Sequence, residues 1–327
     1  MSLSRQPRYV NPRTTLIGIV AVTAVLALAP SWLSPGMLRQ IAEFFFVFAM
    51  AQSWNMLAGF VGLMSIGHQG FVGLGAYSLF VVSNKLGMSP HYAMFVSFVF
   101  CALAASAIAP FLFRLRDAYF SIGIWVLAEI VRTAVAKSHW LGSSTGLVLD
   151  AARTMNKDWL SISIYWWSVA LAMGSIALLF LLVRSRLGLA LMAVRDNDLT
   201  AASVGIDVGR ARFIAFVLSG ALCGMAGAAY NMWAYHIDPN GAFDVNWVVV
   251  MLFITIIGGI GTIEGPIVGT VVYFGLRELL GDVGNWYLIL MGAVAVVAMI
   301  AWKKGIWGTL SARFGFELFS VRRMPPT

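Results

Sequence analysis

Charge is what this sequence has least of. Only 11% of its 327 residues are Asp, Glu, Lys or Arg, against 60% hydrophobic residues and a mean hydropathy of +0.84. A soluble domain carries roughly a quarter charged residues, so this chain lacks the polar groups to cover a water-facing surface. Cysteine is almost as scarce. Cys101 and Cys223 both lie inside apolar runs and read as small core residues, not as a disulfide or a metal pair. Also missing are a G-x-x-x-x-G-K-[ST] phosphate loop, an H-E-x-x-H helix, a G-x-S-x-G elbow and any His/Cys/carboxylate cluster at metal spacing. These absences leave an enzyme embedded in the membrane without a supporting constellation, and no catalytic residue, metal or cofactor is expected. The net charge of +8 is spread singly or in pairs between apolar runs. No basic stripe is there to track a phosphate backbone, so nucleic acid is not an expected partner.

Long apolar runs are abundant. They occupy approximately 14–30, 41–61, 65–84, 91–113, 118–136, 163–183, 212–235, 247–262, 266–280 and 285–302. A helix needs about 20 residues to span a hydrocarbon core of about 30 Å, and most runs qualify. The expected fold class is therefore all-α, a polytopic transmembrane helical protein of about ten crossings (8–10). The short pair 247–262 and 266–280 reads either as two crossings or as one re-entrant hairpin. With ten crossings and a cytoplasmic N-terminus, inner segments hold fifteen basic residues and outer segments six, which favours N-in and C-in. Trp32, Trp140, Trp159, Trp233, Trp247 and Trp286 then fall at outer ends and Trp302 and Trp307 at the inner C-terminal end, an interfacial aromatic belt. The start of the chain is basic, and Ala27-Leu28-Ala29 looks like a signal-peptidase site, but Pro30 follows at once and an uncleaved first crossing is the reading adopted. A single membrane domain over 1–327 is expected: cytoplasmic 1–13, helices within 14–302, a cytoplasmic loop at 184–211 and a cytoplasmic 303–327.

Four features stand out. The first is a Gly-rich stretch with glycines at 59, 62, 67, 70, 73 and 75, enclosing Ser65, His68 and Gln69 and ending at Tyr77. Glycine costs a helix about 1 kcal/mol relative to alanine, and broken backbone within a membrane is tolerated only against protein or a wet cavity. A break lining a substrate path and close packing through small residues are both open readings, and His68 reads first as a hydrogen-bonded structural residue. The second is Gly258-Gly-Ile-Gly261-Thr-Ile-Glu264-Gly265-Pro266, a sharp inner turn between packed helices with Glu264 expected to be exposed in it. The third is the inner loop 184–211, in which Leu187, Leu191 and Val194 follow helical spacing and Arg195, Asp196, Asn197 and Asp198 form a charged knob. It suits docking against another protein or lying on anionic lipid. The fourth is Glu129 with Arg132, three apart on one helix, able to meet a zwitterionic solute or to satisfy each other. Gln52, Asn55 and Asn231 are polar positions expected to face the interior. A carrier coupled to protons or sodium would want midplane carboxylates, and Glu129, near a helix end, is the one carboxylate singled out for that role. A secondary transporter or channel working without an ATPase is accordingly the runner-up.

Taken in order, several segments are similar to one known family. They are Asn55-Met-Leu-Ala-Gly59, Ser65-Ile-Gly67-His68 through Gly73-Leu-Gly75-Ala76-Tyr77, Tyr119-Phe-Ser-Ile with Glu129-Ile-Val-Arg132, and Thr145-Gly146. After them come Gly188 to Gly205-Ile-Asp, Phe216 to Gly227-Ala-Ala-Tyr230, Gly258-Gly-Ile-Gly261 to Gly265-Pro266, and Gly305-Ile-Trp-Gly308. Over roughly 45–310 the chain resembles the Liv-type permeases, membrane subunits of ABC importers for branched-chain amino acids and related solutes, and it looks more like the LivM-type than the LivH-type. The resemblance implies a second Liv-type permease, two cytoplasmic ATP-binding subunits and an extracytoplasmic solute-binding protein as partners, besides membrane lipid, in a bacterial-type cytoplasmic (inner) membrane. It also implies that segment 188–205, with Gly188, Arg195, Asp196, Asn197, Asp198, Ala201, Ala202 and Gly205, is the element seated in a groove of the ATPase. Urea-importing relatives share the scaffold, so the resemblance leaves the solute open.

Overall fold

The computed structural model describes residues 12–116, 118–150, 157–280, 286–302 and 304–314. Most of the expected cytoplasmic termini, 1–13 and 303–327, lies outside the described residues. The described chain is almost wholly helical: α1 Pro12–Ala27, α2 Pro35–Val61, α3 Gln69–Leu86, α4 Pro90–Leu112, α5 Ala118–Lys137, α6 Lys157–Arg184, α7 Arg186–Asp196, α8 Asp198–Ser203, α9 Val208–Ala234, α10 Pro239–Ala242, α11 Asn246–Gly258, α12 Gly265–Leu280, α13 Trp286–Ala301 and α14 Gly305–Phe314. Seven stretches among the described residues are long and apolar enough to cross a membrane, as a multi-pass membrane protein requires.

Local chemistry sets the helix ends. Pro35 and Pro90 occupy first turns, where a missing N–H costs nothing. Ser34 Oγ accepts from Met37 N, Asp207 Oδ1 from Arg210 N at 2.9 Å and Asn197 Oδ1 from Thr200 N at 2.9 Å, each satisfying a donor left over by the first turn. At the far end of α2, Gly62 adopts φ +81°, the left-handed cap that glycine takes without strain.

α2 is the axis of the molecule. From Phe46 to Val61 every residue is buried, the mark of a helix enclosed on all sides, with α6, α9, α11 and α12 around it. α9 packs on α3, α4 and α2 through backbone that lacks side chains. A Cβ at Gly75 of α3 would lie 1.9 Å from the Gly224 carbonyl oxygen, and one at Gly227 would lie 2.7 Å from Val72 Cα. Cys101 and Cys223 are free and buried in this core. By contrast, only 22% of the apolar window of α5 is buried, leaving its outer face exposed.

Described connections between the long helices gather at two ends. At one end, Ser121 of α5 donates to the Met64 carbonyl, and Gly59, Arg195 and Gly261 meet. At the other end, Tyr165 donates to the Leu26 carbonyl and Asn84 to the Val148 carbonyl at 2.7 Å. A two-residue antiparallel pair, β1 Leu147–Val148 with β2 His236–Ile237, ties the segment 138–150 that follows α5 to the connection after α9. The helical runs gave no sign of this ribbon.

The structure corrects two sequence readings. Glu264 is buried, not exposed, because the turn folds back onto α2 instead of projecting. The Gly-rich stretch breaks the helix only over 62–68: Gly59 is still inside α2, and Gly70, Gly73 and Gly75 are inside α3, where they serve packing.

Candidate functional site

At the end where α2 stops, three segments that are far apart in sequence converge. Asn55 is the hinge pin. Its Nδ2 donates to the Thr262 carbonyl at 2.8 Å and its Oδ1 accepts from Gly261 N at 2.9 Å, a two-point clasp on the backbone of the 258–265 turn. Gln52 Nε2 adds a bond to the Ile263 carbonyl at 3.2 Å. The turn comes this close because Gly59 and Gly261 have no side chains: a Cβ at Gly59 would stand 2.5 Å from Gly261 N. Into the same spot comes Arg195 at the end of α7, donating from Nη1 to the Gly59 carbonyl at 3.1 Å. Its guanidinium also pairs with Asp196.

The 184–211 segment is therefore braced against the bundle. Leu191 and Val194 are buried, and Gly188 is enclosed beneath Val183, as the helical spacing of the apolar positions required. Ser185 caps α7 through Gly188 N and Asn197 caps α8. Asp198 pairs with Arg212 of α9, and Ala201 is buried. The charged knob is thus paired within the chain, and beside its exposed polar residues two large apolar side chains project: Leu199 is 83% and Val204 71% exposed, with exposed Ala202 between them and Gly205 following.

His68 sits at the close of the 62–68 break, wholly buried. Its Nε2 lies 2.7 Å from Ser219 Oγ, and its Nδ1 lies 2.7 Å from Ser65 Oγ. Ser219 commits its hydroxyl proton to the Ser53 carbonyl at 2.7 Å, so Nε2 must carry hydrogen and donate to Ser219. Ser65 accepts from Gly67 N and gives its own proton to Nδ1. The ring is then a neutral donor and acceptor, fully used in pinning the break to α2 and α9. Trp54 Nε1 holds the Ser65 carbonyl at 2.7 Å.

The other expected pathway residues do not gather with these. Gln69 and Tyr77 are buried on α3, their Oε1 and hydroxyl without a partner among the described residues, and Tyr77 stacks on Phe243 at 5.9 Å. Asn231 turns back to the Gly227 carbonyl of its own helix. Glu129 and Arg132 do pair, and Arg132 reaches on to Asn240 at 2.6 Å, fastening α5 to α10.

At the opposite end lies a cleft of about 410 Å³ with none of the expected site residues in its lining. Arg277 of α12 donates to Glu43 of α2 at 2.6 Å, with Tyr230, Trp247 and Asp244 alongside. Glu129 is thus not the one carboxylate within an apolar run: Glu43 is another. The hydropathy run begins at 41, whereas the helix begins at Pro35, which moves Glu43 from a run's edge to a helix's third turn. Ionisable residues inside the runs were the available signal.

A family model described as the branched-chain amino acid transport system permease component matches residues 36–299. The chain belongs to this permease family. The match starts at the head of α2 and ends within α13, so it takes in the clasp, the braced segment and the cleft. Among its relatives is the high-affinity branched-chain amino acid transport system permease protein LivM of Escherichia coli, 24% identical, covering 92% of this chain and 78% of the relative. The protein of the same description from Salmonella typhimurium aligns to the same extent. A probable branched-chain amino acid transport permease protein LivH of Methanocaldococcus jannaschii is 24% identical, covering 70% of this chain and 76% of the relative.

Proposed function

We propose that this chain is the LivM-type permease subunit of an ATP-driven importer, carrying branched-chain amino acids or solutes like them through a bacterial-type cytoplasmic membrane. The observation that carries the reading is the mechanical path from the projecting α8 tip to the bundle. Arg195 joins the α7–α8 segment to the Gly59 carbonyl, and Asn55 joins that point to the 258–265 turn. A force applied at Leu199 and Val204 is delivered to α2 and to the α11–α12 hairpin together. Two ATP-binding subunits are the natural source of that force, with segment 188–205 seated in a groove on one of them.

In this reading ten helices cross, α1 to α6, α9 and α11 to α13, with the single domain 1–327 presenting 1–13, 184–211 and 303–327 to the cytoplasm. The gathering of described connections at two ends and the fifteen-to-six basic asymmetry support it. A second Liv-type permease completes the pathway, a solute-binding protein docks at the end that carries the β1–β2 ribbon, and lipid covers α5. Gln52, Asn55, Ser65 and His68 hold the inner gate, while Gln69, Tyr77, Glu129, Arg132 and Asn231 support the helices around it.

Reconstitution tests the proposal. The complete complex in proteoliposomes takes up labelled leucine only with ATP, and the isolated chain takes up none. Gradient-driven uptake by the isolated chain would overturn the reading in favour of a secondary transporter. Leu199→Asp with Val204→Asp abolishes co-purification of the ATP-binding subunits while leaving the permease folded.

A further inference from the structure

We propose that the cleft around Glu43 and Arg277 is a binding site for a zwitterionic α-amino acid with an apolar side chain. The proposal rests on the importer reading and supplies it with a solute site. Glu43 is the ninth residue of the 27-residue α2, within an apolar helix where ionisable groups are rare and mark substrate paths, and it meets Arg277, a half-exposed cation in the last turn of α12. Their bond joins residues 234 apart in sequence.

The pair opens on a cleft of about 410 Å³, within the 300–1,000 Å³ typical of small-molecule sites. Arg277 and Glu43 retain 44% and 23% side-chain exposure there. Arg277 has five N–H donors, and the described bonds commit Nη1 to Glu43. Asp244, the other carboxylate on the rim, holds Asn246 through both oxygens, whereas Glu43 is bonded by two groups that themselves line the cleft, Arg277 and the Tyr230 hydroxyl.

An α-amino acid matches this arrangement group by group. Its carboxylate takes the free fork of Arg277, and its ammonium takes Glu43 beside the edge-to-face Tyr230–Trp247 pair, whose centroids are 4.8 Å apart. Its side chain lies on Val47 and Val250 of the lining. Inserting the zwitterion exchanges one internal ion pair for two new ones, so neither protein charge is left buried and unpaired. A simple cation or anion satisfies only one side, and urea neither.

The test is titration calorimetry on the full chain in nanodiscs with leucine, leucinamide, 4-methylpentanoate and urea as probes. Saturable leucine binding is expected, with leucinamide and 4-methylpentanoate each weaker by about tenfold or more, the loss of one charge-assisted contact, and no urea binding. Equal affinity for leucine and either singly charged analogue overturns the proposal without any variant. So does the absence of leucine binding. Glu43→Gln combined with Arg277→Gln keeps a neutral hydrogen-bonded pair across the helices. In that variant leucine binding falls by about tenfold or more with the melting temperature held. Undiminished binding in it overturns the site, as does a defect confined to pairing with the second permease. Failure here is separable from failure of the importer reading: ATP-dependent uptake that ignores both substitutions removes the cleft but leaves the importer, whereas uptake by the isolated chain removes the importer.

Discussion

His68 carries two hydrogen bonds whose loss has a readable consequence. His68→Phe keeps ring volume and deletes both bonds, leaving Ser65 and Ser219 buried with one partner fewer. Each unsatisfied buried group costs about 1–3 kcal/mol, so the apparent melting temperature of the purified complex falls by about 5 °C or more. Uptake per folded molecule, scored by fluorescence-detected size exclusion alongside transport, stays within about twofold of the parent. A collapse of uptake in fully folded protein would make His68 a participant in transport and not a strut. At this scale the sequence was legible in kind: a lone histidine beside a Gly-rich break reads as structural. Its partner Ser219 was not, because nothing at residue 68 indicates which serine 151 positions away will face it.

Between elements, glycine placement decides what can be changed. Gly75 and Gly224 let α3 and α9 touch backbone to backbone, and a methyl at Gly75 collides with the Gly224 carbonyl. Gly75→Ala therefore costs about 2 kcal/mol or more through forced separation of the helices, read as reduced yield of monodisperse protein. Gly174 and Gly275, also within helices, face open space, and a Cβ at either would meet nothing within 4 Å. Gly174→Ala or Gly275→Ala leaves the yield unchanged. Equal loss at all three positions would mean that the contact at Gly75 does not set the cost, since helix propensity favours alanine at each of them. Arg195 makes a different kind of joint. Arg195→Ala removes the tie to Gly59 but leaves the exposed Leu199–Val204 tip intact. Its complex should keep its ATP-binding subunits and lose most of its uptake per ATP hydrolysed, measured side by side in proteoliposomes. Retained coupling would move the transmission path elsewhere.

For the whole molecule, orientation is the open physical variable, and two exposed sites at opposite ends report it. Cysteine introduced for Leu199, on α8, and for Trp140, beyond α5, should react with an impermeant maleimide from opposite sides in vesicles of opposite polarity. The native Cys101 and Cys223, both wholly buried, stay silent as internal controls. Labelling of both positions from one side would break the ten-crossing, both-ends-in arrangement.

The sequence by itself determined the solvent, the element type and most helix limits, because hydropathy, proline and glycine act locally and a bilayer enforces helical hydrogen bonding on any apolar run. It also determined the amphipathic α7 and the turn before Pro266, whose signals lie within a few residues. Only the tertiary structure decided that Glu264 turns inward, that Asn55 clasps the turn 206 residues away, and that Glu43 and Arg277 share one cleft. Those outcomes depend on which helix faces lie against one another. A periodic apolar pattern leaves that choice free, and close backbone approaches at single glycines settle it.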